Sequence, residues 1–273
     1  SFARAGALGC RSVLAINEGR LLDAEADARA SAEGGIPPIM VPVNASFQVR
    51  ALSEQGRLDD AEQVMREAGI EHGPGGPTVL RWIPWGRAIL HEARGDIDAV
   101  RVDIAPLEED DRAGRSMKAL SWRALLARTL SRSGHSAEAE GLANEHLVWA
   151  EWWGRPGALG IARRARALAG PDENRVEGLE EAVETLASSS LAAEHARALK
   201  DLGVSRLRSG RKAEGKATLN IAVEAAVACG ARGTANAANA ELEVAGAAPR
   251  RLGFDELTAS ERRVAGFAAD GRT

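Results

Sequence analysis

The chain has 273 residues, enough for two ordinary domains or for a repeat array that escapes the size limit on a single core. It has no tyrosine and only four phenylalanines, while Ala, Leu, Glu and Arg dominate, so its composition favours helix and an all-α fold is expected. A net charge of −4 excludes a global attraction for nucleic acid or anionic lipid, and no apolar run approaches the roughly 20 residues of a membrane span.

Along the chain, a glycine followed by a short amphipathic segment recurs: Gly19-Arg-Leu-Leu-Asp-Ala, Gly56-Arg-Leu-Asp-Asp-Ala, Gly95-Asp-Ile-Asp-Ala-Val, Gly134-His-Ser-Ala-Glu-Ala and Gly210-Arg-Lys-Ala-Glu-Gly. The first four are 37 to 39 residues apart and the last gap is about twice that, so one further unit is expected between them. Its turn is placed near Gly170-Pro-Asp-Glu-Asn, ahead of Val176-Glu-Gly-Leu-Glu-Glu-Ala. Six helical hairpins follow from this spacing. Gly34-Gly-Ile-Pro-Pro and Gly73-Pro-Gly-Gly-Pro interrupt helix between the first three units.

Each hairpin needs small residues where its two helices touch. Five residues after each repeat glycine stand Ala24, Ala61, Val100, Ala139 and Gly215; seven before it stand Ser12, Val49, Ala88, Ala127 and Gly203. Most are small, as close helix packing requires. The unit resembles a tetratricopeptide repeat, although its period exceeds the usual 34 and most units lack the aromatic positions.

After a last helix near Ala231 to Val244, the segment from Ala245 to about Phe254 reads as a linker. Leu257-Thr-Ala-Ser260-Glu261-Arg-Arg-Val264 then carries a Thr258-x-x-Glu261 capping box and an apolar stripe of Val264, Phe267 and Ala268, with Gly271 as the stop. This tail resembles the opening of a LuxR-type helix-turn-helix domain. Together with the repeats before it, the chain resembles the C-terminal part of the large ATP-binding LuxR-type regulators with MalT-like helical repeats. The division is an array over residues 1–244, a linker over 245–254 and the truncated start of a DNA-binding domain over 255–273.

That resemblance implies an ATPase module upstream of Ser1 and a recognition helix beyond Thr273, so ATP and DNA would be partners of the parent protein and not of these residues. Residues 255–273 carry three arginines against four acids and no basic face, so DNA binding by this tail is not expected. The expected role is the sensing region of a transcriptional regulator. The alternative is a constitutive scaffold that holds a protein or peptide in its concave groove; whether the array forms homo-oligomers stays open.

Catalytic and metal chemistry find little support. Gly210-Arg-Lys-Ala-Glu-Gly-Lys216 has the spacing of a phosphate loop, but Ala217 replaces the hydroxyl residue and no strand precedes it. His91-Glu92 begins a zincin-like string that meets Gly95 where a histidine is needed, and the other histidines are scattered. Cys10 and Cys229 lie far apart without a metal or disulfide pattern, and the N-terminus has no signal-peptide pattern, which suits a cytoplasmic protein.

The six tryptophans are the remaining oddity. Tetratricopeptide first helices line the concave surface, so Arg81, Trp82, Trp85 and Trp122 are the candidate floor of a ligand groove. The competing reading has the indoles filling gaps between hairpins. Trp153-Gly154 matches a recurrent pair in the resembled family, which implies a structural role there.

Overall fold

The structure, a computed structural model, describes residues 2–34, 36–72, 78–115 and 120–247. The predicted helix over 258–272, most of the linker and the Gly73–Pro77 interruption lie outside these residues. Thirteen α-helices and no strand occur among them: α1 (Phe2–Asn17), α2 (Leu21–Glu33), α3 (Val41–Glu54), α4 (Leu58–Glu67), α5 (Trp82–Arg94), α6 (Ile97–Arg112), α7 (Trp122–Arg132), α8 (Ser136–Trp153), α9 (Pro156–Ala169), α10 (Arg175–Ala187), α11 (Ala192–Arg208), α12 (Lys212–Ala228) and α13 (Arg232–Val244). They pair as six hairpins followed by a single closing helix. Among the described residues, no helix is long and apolar enough to cross a membrane.

The repeat glycines make the turns. Gly19, Gly56, Gly95, Gly134 and Gly210 all have φ between +74° and +84°, a conformation that only glycine adopts without strain. In each case the next residue returns its amide to a carbonyl five positions back, for example Arg20 to Ala15 at 2.8 Å and Asp96 to His91 at 3.0 Å. This closure satisfies carbonyls that a helix end leaves open and reverses the chain within three residues. The hidden hairpin turns differently: Gly170 is extended, Pro171 forbids further helix, and the Arg175 guanidinium reaches back to the carbonyls of Ala167 and Gly170.

Packing within hairpins follows the small positions. Ser12, Ala24, Val49, Ala61, Ala88, Val100, Ala127 and Ala139 are fully buried, and the Ser12 hydroxyl donates to the Ala24 carbonyl at 2.8 Å. In the last hairpin the approach is closer still. A Cβ at Gly203 would stand 2.7 Å from Leu219 Cγ, and one at Gly215 2.9 Å from the Gly203 carbonyl oxygen, so both positions need glycine for α11 and α12 to meet.

First helices stack on first helices, α1 to α3, α3 to α5, α5 to α7 and α7 to α9, so they form the inner wall of a superhelix. The curvature is tight enough to bring the two halves of the array together. The turn ends of α1 and α3 rest on the starts of α11 and α13, with Ala15, Ile16, Leu21 and Ala51 in one apolar cluster with Ala193, Ala196, Cys229 and Ala235. Gly56 abuts Gly233 backbone to backbone, Gly19 lies against Ala192 and Cys229, and Arg197 of α11 pairs with Glu54 of α3. We call this contact the seam.

Candidate ligand-binding lumen

Closure of the seam turns the concave face into a lumen of about 510 Å³. Its wall comes from α1, α3, α5, α7, α9 and α11, joined by the end of α8 and the Ser188–Leu191 loop. The volume lies within the range of small-molecule sites.

Trp82 and Trp85 both line this space, one turn apart on α5. Trp82 is held edge-on by Phe47, ring centroids 5.4 Å apart, while Trp85 also enters the core shared with α7. Arg81 and Trp122 are placed elsewhere. Arg81 makes a two-pronged contact to Asp110 of α6, at 2.6 and 3.1 Å, within the third hairpin. Hydrogen bonding from Arg81 leads the effects that hold the Asp110 carboxyl below its usual range. Trp122 is buried between the third and fourth hairpins, and the Arg123 guanidinium covers its ring at 4.2 Å.

The sequence reading did not single out the lumen's charges. Arg50, Arg128, Arg155 and Arg197 line it together with Glu54, Glu92 and Glu194. Arg197 bridges Glu54 and Glu194; Arg164, just behind the wall, joins Glu194 at 2.9 Å to Asp201 at 2.7 Å. On the opposite wall Glu92 takes Arg128 at 3.3 Å and Arg132 at 3.0 Å. Burial alone raises the Glu194 carboxyl, but the charges of Arg197, Arg164 and Arg128 outweigh it and hold its pKa at about 2. Glu54, Glu92 and Glu194 are thus each paired with arginine.

Arg50 is the exception. Its Nη2 donates to Asn17 Oδ1 at 3.2 Å, no carboxylate lies within ion-pair distance among the described residues, and its Nε is buried without an acceptor. A register signal existed for this row. Arg50, Ile89 and Arg128 each stand six residues before a repeat glycine, and all three face the lumen. Trp153, given a structural role in the sequence reading, ends α8 before the left-handed Gly154 and reaches the lumen, its ring tilted against that of Trp149 with centroids 4.9 Å apart.

Other sequence candidates have local structural partners. His91 Nδ1 meets Asp103 at 2.8 Å, beside the buried Arg87 that pairs with the same carboxylate at 2.6 Å. Gly210 to Lys216 forms a hairpin turn and the first turns of α12, with Gly215 spent on helix packing. No group of three metal-ligating side chains occurs among the described residues. The class defined by the geometry is a self-closed α-α superhelix with a half-open, charged and aromatic lumen. Neither a family model nor a curated protein matches the chain.

Proposed function

We propose that the chain is the sensor region of a LuxR-type transcriptional regulator, in which an effector occupies the lumen and its presence is relayed through α13 toward the segment that follows. The observation that carries this is the seam. The lumen wall contains α3 and α11, and the seam joins them to the start of α13, so a ligand that touches both sides favours the closed state and fixes where α13 points. Only such differential affinity for two states can drive a switch.

The LuxR-type assignment itself rests on the sequence of the repeats and of residues 257–273. By the same resemblance, ATP belongs to an upstream module and DNA to the completed C-terminal domain. The two cysteines are unpaired, Cys10 exposed and Cys229 buried, which supports a reducing, cytoplasmic setting. The bounded volume of the lumen, about 510 Å³, suits a small molecule more than an extended peptide, which needs a groove along which to lie.

The test is a thermal-shift screen of the chain against metabolites, with small-angle scattering on every hit. The sensor reading expects a hit that stabilises the protein and leaves it compact while the free chain samples a larger radius. Identical scattering with and without a saturating lumen ligand would remove the relay.

A further inference from the structure

The wall of the lumen holds four guanidiniums against three carboxylates. Two of the four, the exposed Arg155 and the half-buried Arg50, have no carboxylate partner among the described residues. Glu54, Glu92 and Glu194 are taken by Arg197, Arg128, Arg132 and Arg164, whereas Arg50 has only the Asn17 amide oxygen. Arg50 Nη1 and the second proton of Nη2 therefore have no acceptor among the described residues, while Nε is shut off from the lumen by burial. Burial pushes its guanidinium below the ordinary value, opposed at longer range by Glu54 and Glu194. A desolvated cation with unused parallel donors is the arrangement that a carboxylate satisfies with two charge-assisted hydrogen bonds.

Around it, the wall is apolar and flat: Trp82, Trp85 and Trp153, with Ile89, Leu125 and Ile161. Building on the sensor reading above, we propose that the lumen binds a small organic acid with a flat apolar body, its carboxylate taken by Arg50 and its body by Trp82, Trp85 and Trp153. The three fixed carboxylates of the wall repel a dianion such as a phosphate monoester more than a singly charged carboxylate, so the carboxylate is the better fit.

Isothermal titration of the whole chain with naphthoate and with the neutral naphthamide tests this. Naphthoate binds at least about tenfold more tightly than the amide, the effect expected of hydrogen bonds to a charged group. Arg50→Gln abolishes that preference; Arg112→Gln, at an exposed arginine of α6 outside the lumen, preserves it. Circular dichroism checks the fold of each variant. Should Arg50→Gln fail to fold, Arg50→Lys, which keeps the charge but loses the fork, is expected to bind naphthoate more weakly than wild type. Equal affinity for acid and amide in the wild type, or an Arg50 variant that keeps the full preference, overturns the assignment while leaving the lumen as a sensor site. Failure of both probes to bind at millimolar concentration removes the organic-acid site and counts against lumen sensing as well.

Discussion

The seam can be tested with two glycines that share a conformation and differ in surroundings. Gly56 has φ +75° and Gly95 φ +78°, so alanine at either carries the same left-handed strain, about 1–2 kcal/mol. At Gly95 a Cβ has nothing within 4 Å. At Gly56 it would stand 2.9 Å from both the Cα and the N of Gly233. These are backbone atoms at the start of α13 that cannot rotate aside. Gly56→Ala must therefore either compress the contact, at a further cost of about 1–3 kcal/mol, or force the seam apart. Urea denaturation of both variants, alongside small-angle scattering, separates the two contributions. Gly95→Ala should lose about 1–2 kcal/mol with an unchanged radius of gyration. Gly56→Ala should lose at least about 1 kcal/mol more, or show a larger radius, or both. Equal losses with superimposable scattering curves would show that hairpin two does not rest on α13.

Three further outcomes follow from local geometry. Gly141 lies exposed within α8, with open space where an alanine methyl would stand, so Gly141→Ala should raise stability by about 1 kcal/mol, read as a higher thermal midpoint. Leu219→Ala empties a fully buried site and should cost about 2–5 kcal/mol; Gly203→Ala, whose Cβ clashes with that leucine, should cost less in the Leu219→Ala background than in the wild type, as a double-mutant cycle reports. Acid should destabilise the protein in two windows. Burial, helped by Arg123 and Arg128, lowers His146 from 6.5 to about 4, so the stability it confers as a neutral ring is present above pH 6.5 and is lost as pH falls toward 4. His146→Gln should flatten that window, apart from a residual slope from the half-buried His195. Glu194, held at about 2, contributes above pH 4.5 and is lost below it, on the order of 3 kcal/mol, and Glu194→Gln should shrink that loss in pH-dependent urea melts.

Local features were legible in the sequence because they are fixed by neighbouring residues. The glycine at each turn and the small pair that flanks it depend on residues within one unit of about 38, and the hidden fifth hairpin shows as a doubled gap between turn glycines. The seam was not legible for the opposite reason. Glu54 and Arg197 are 143 positions apart, and their meeting reflects small rotations accumulated over successive hairpins, which no single spacing records. The lumen divides in the same way. Trp82 and Trp85 were found because a first helix supplies the inner wall. Arg81, in the turn just before α5, and Trp122, at the start of α7, point into hairpin packing, toward Asp110 and the α5–α8 core. Arg50 required the register of its row to be followed across units, and its lack of a counter-ion could be seen only once the other charges had found theirs.

The seam also changes what kind of thermodynamic object the array is. A linear stack of hairpins behaves as a one-dimensional chain, in which a terminal unit can fray while its neighbours hold. Joining hairpins one and two to α11 and α13 makes that chain a ring, so the first hairpins cannot peel away without breaking contacts far along the sequence. Cooperativity then comes from topology as well as from nearest neighbours. The arginine and indoles of the inner wall are held in register by that closure, and loosening either end would unsettle all of them together.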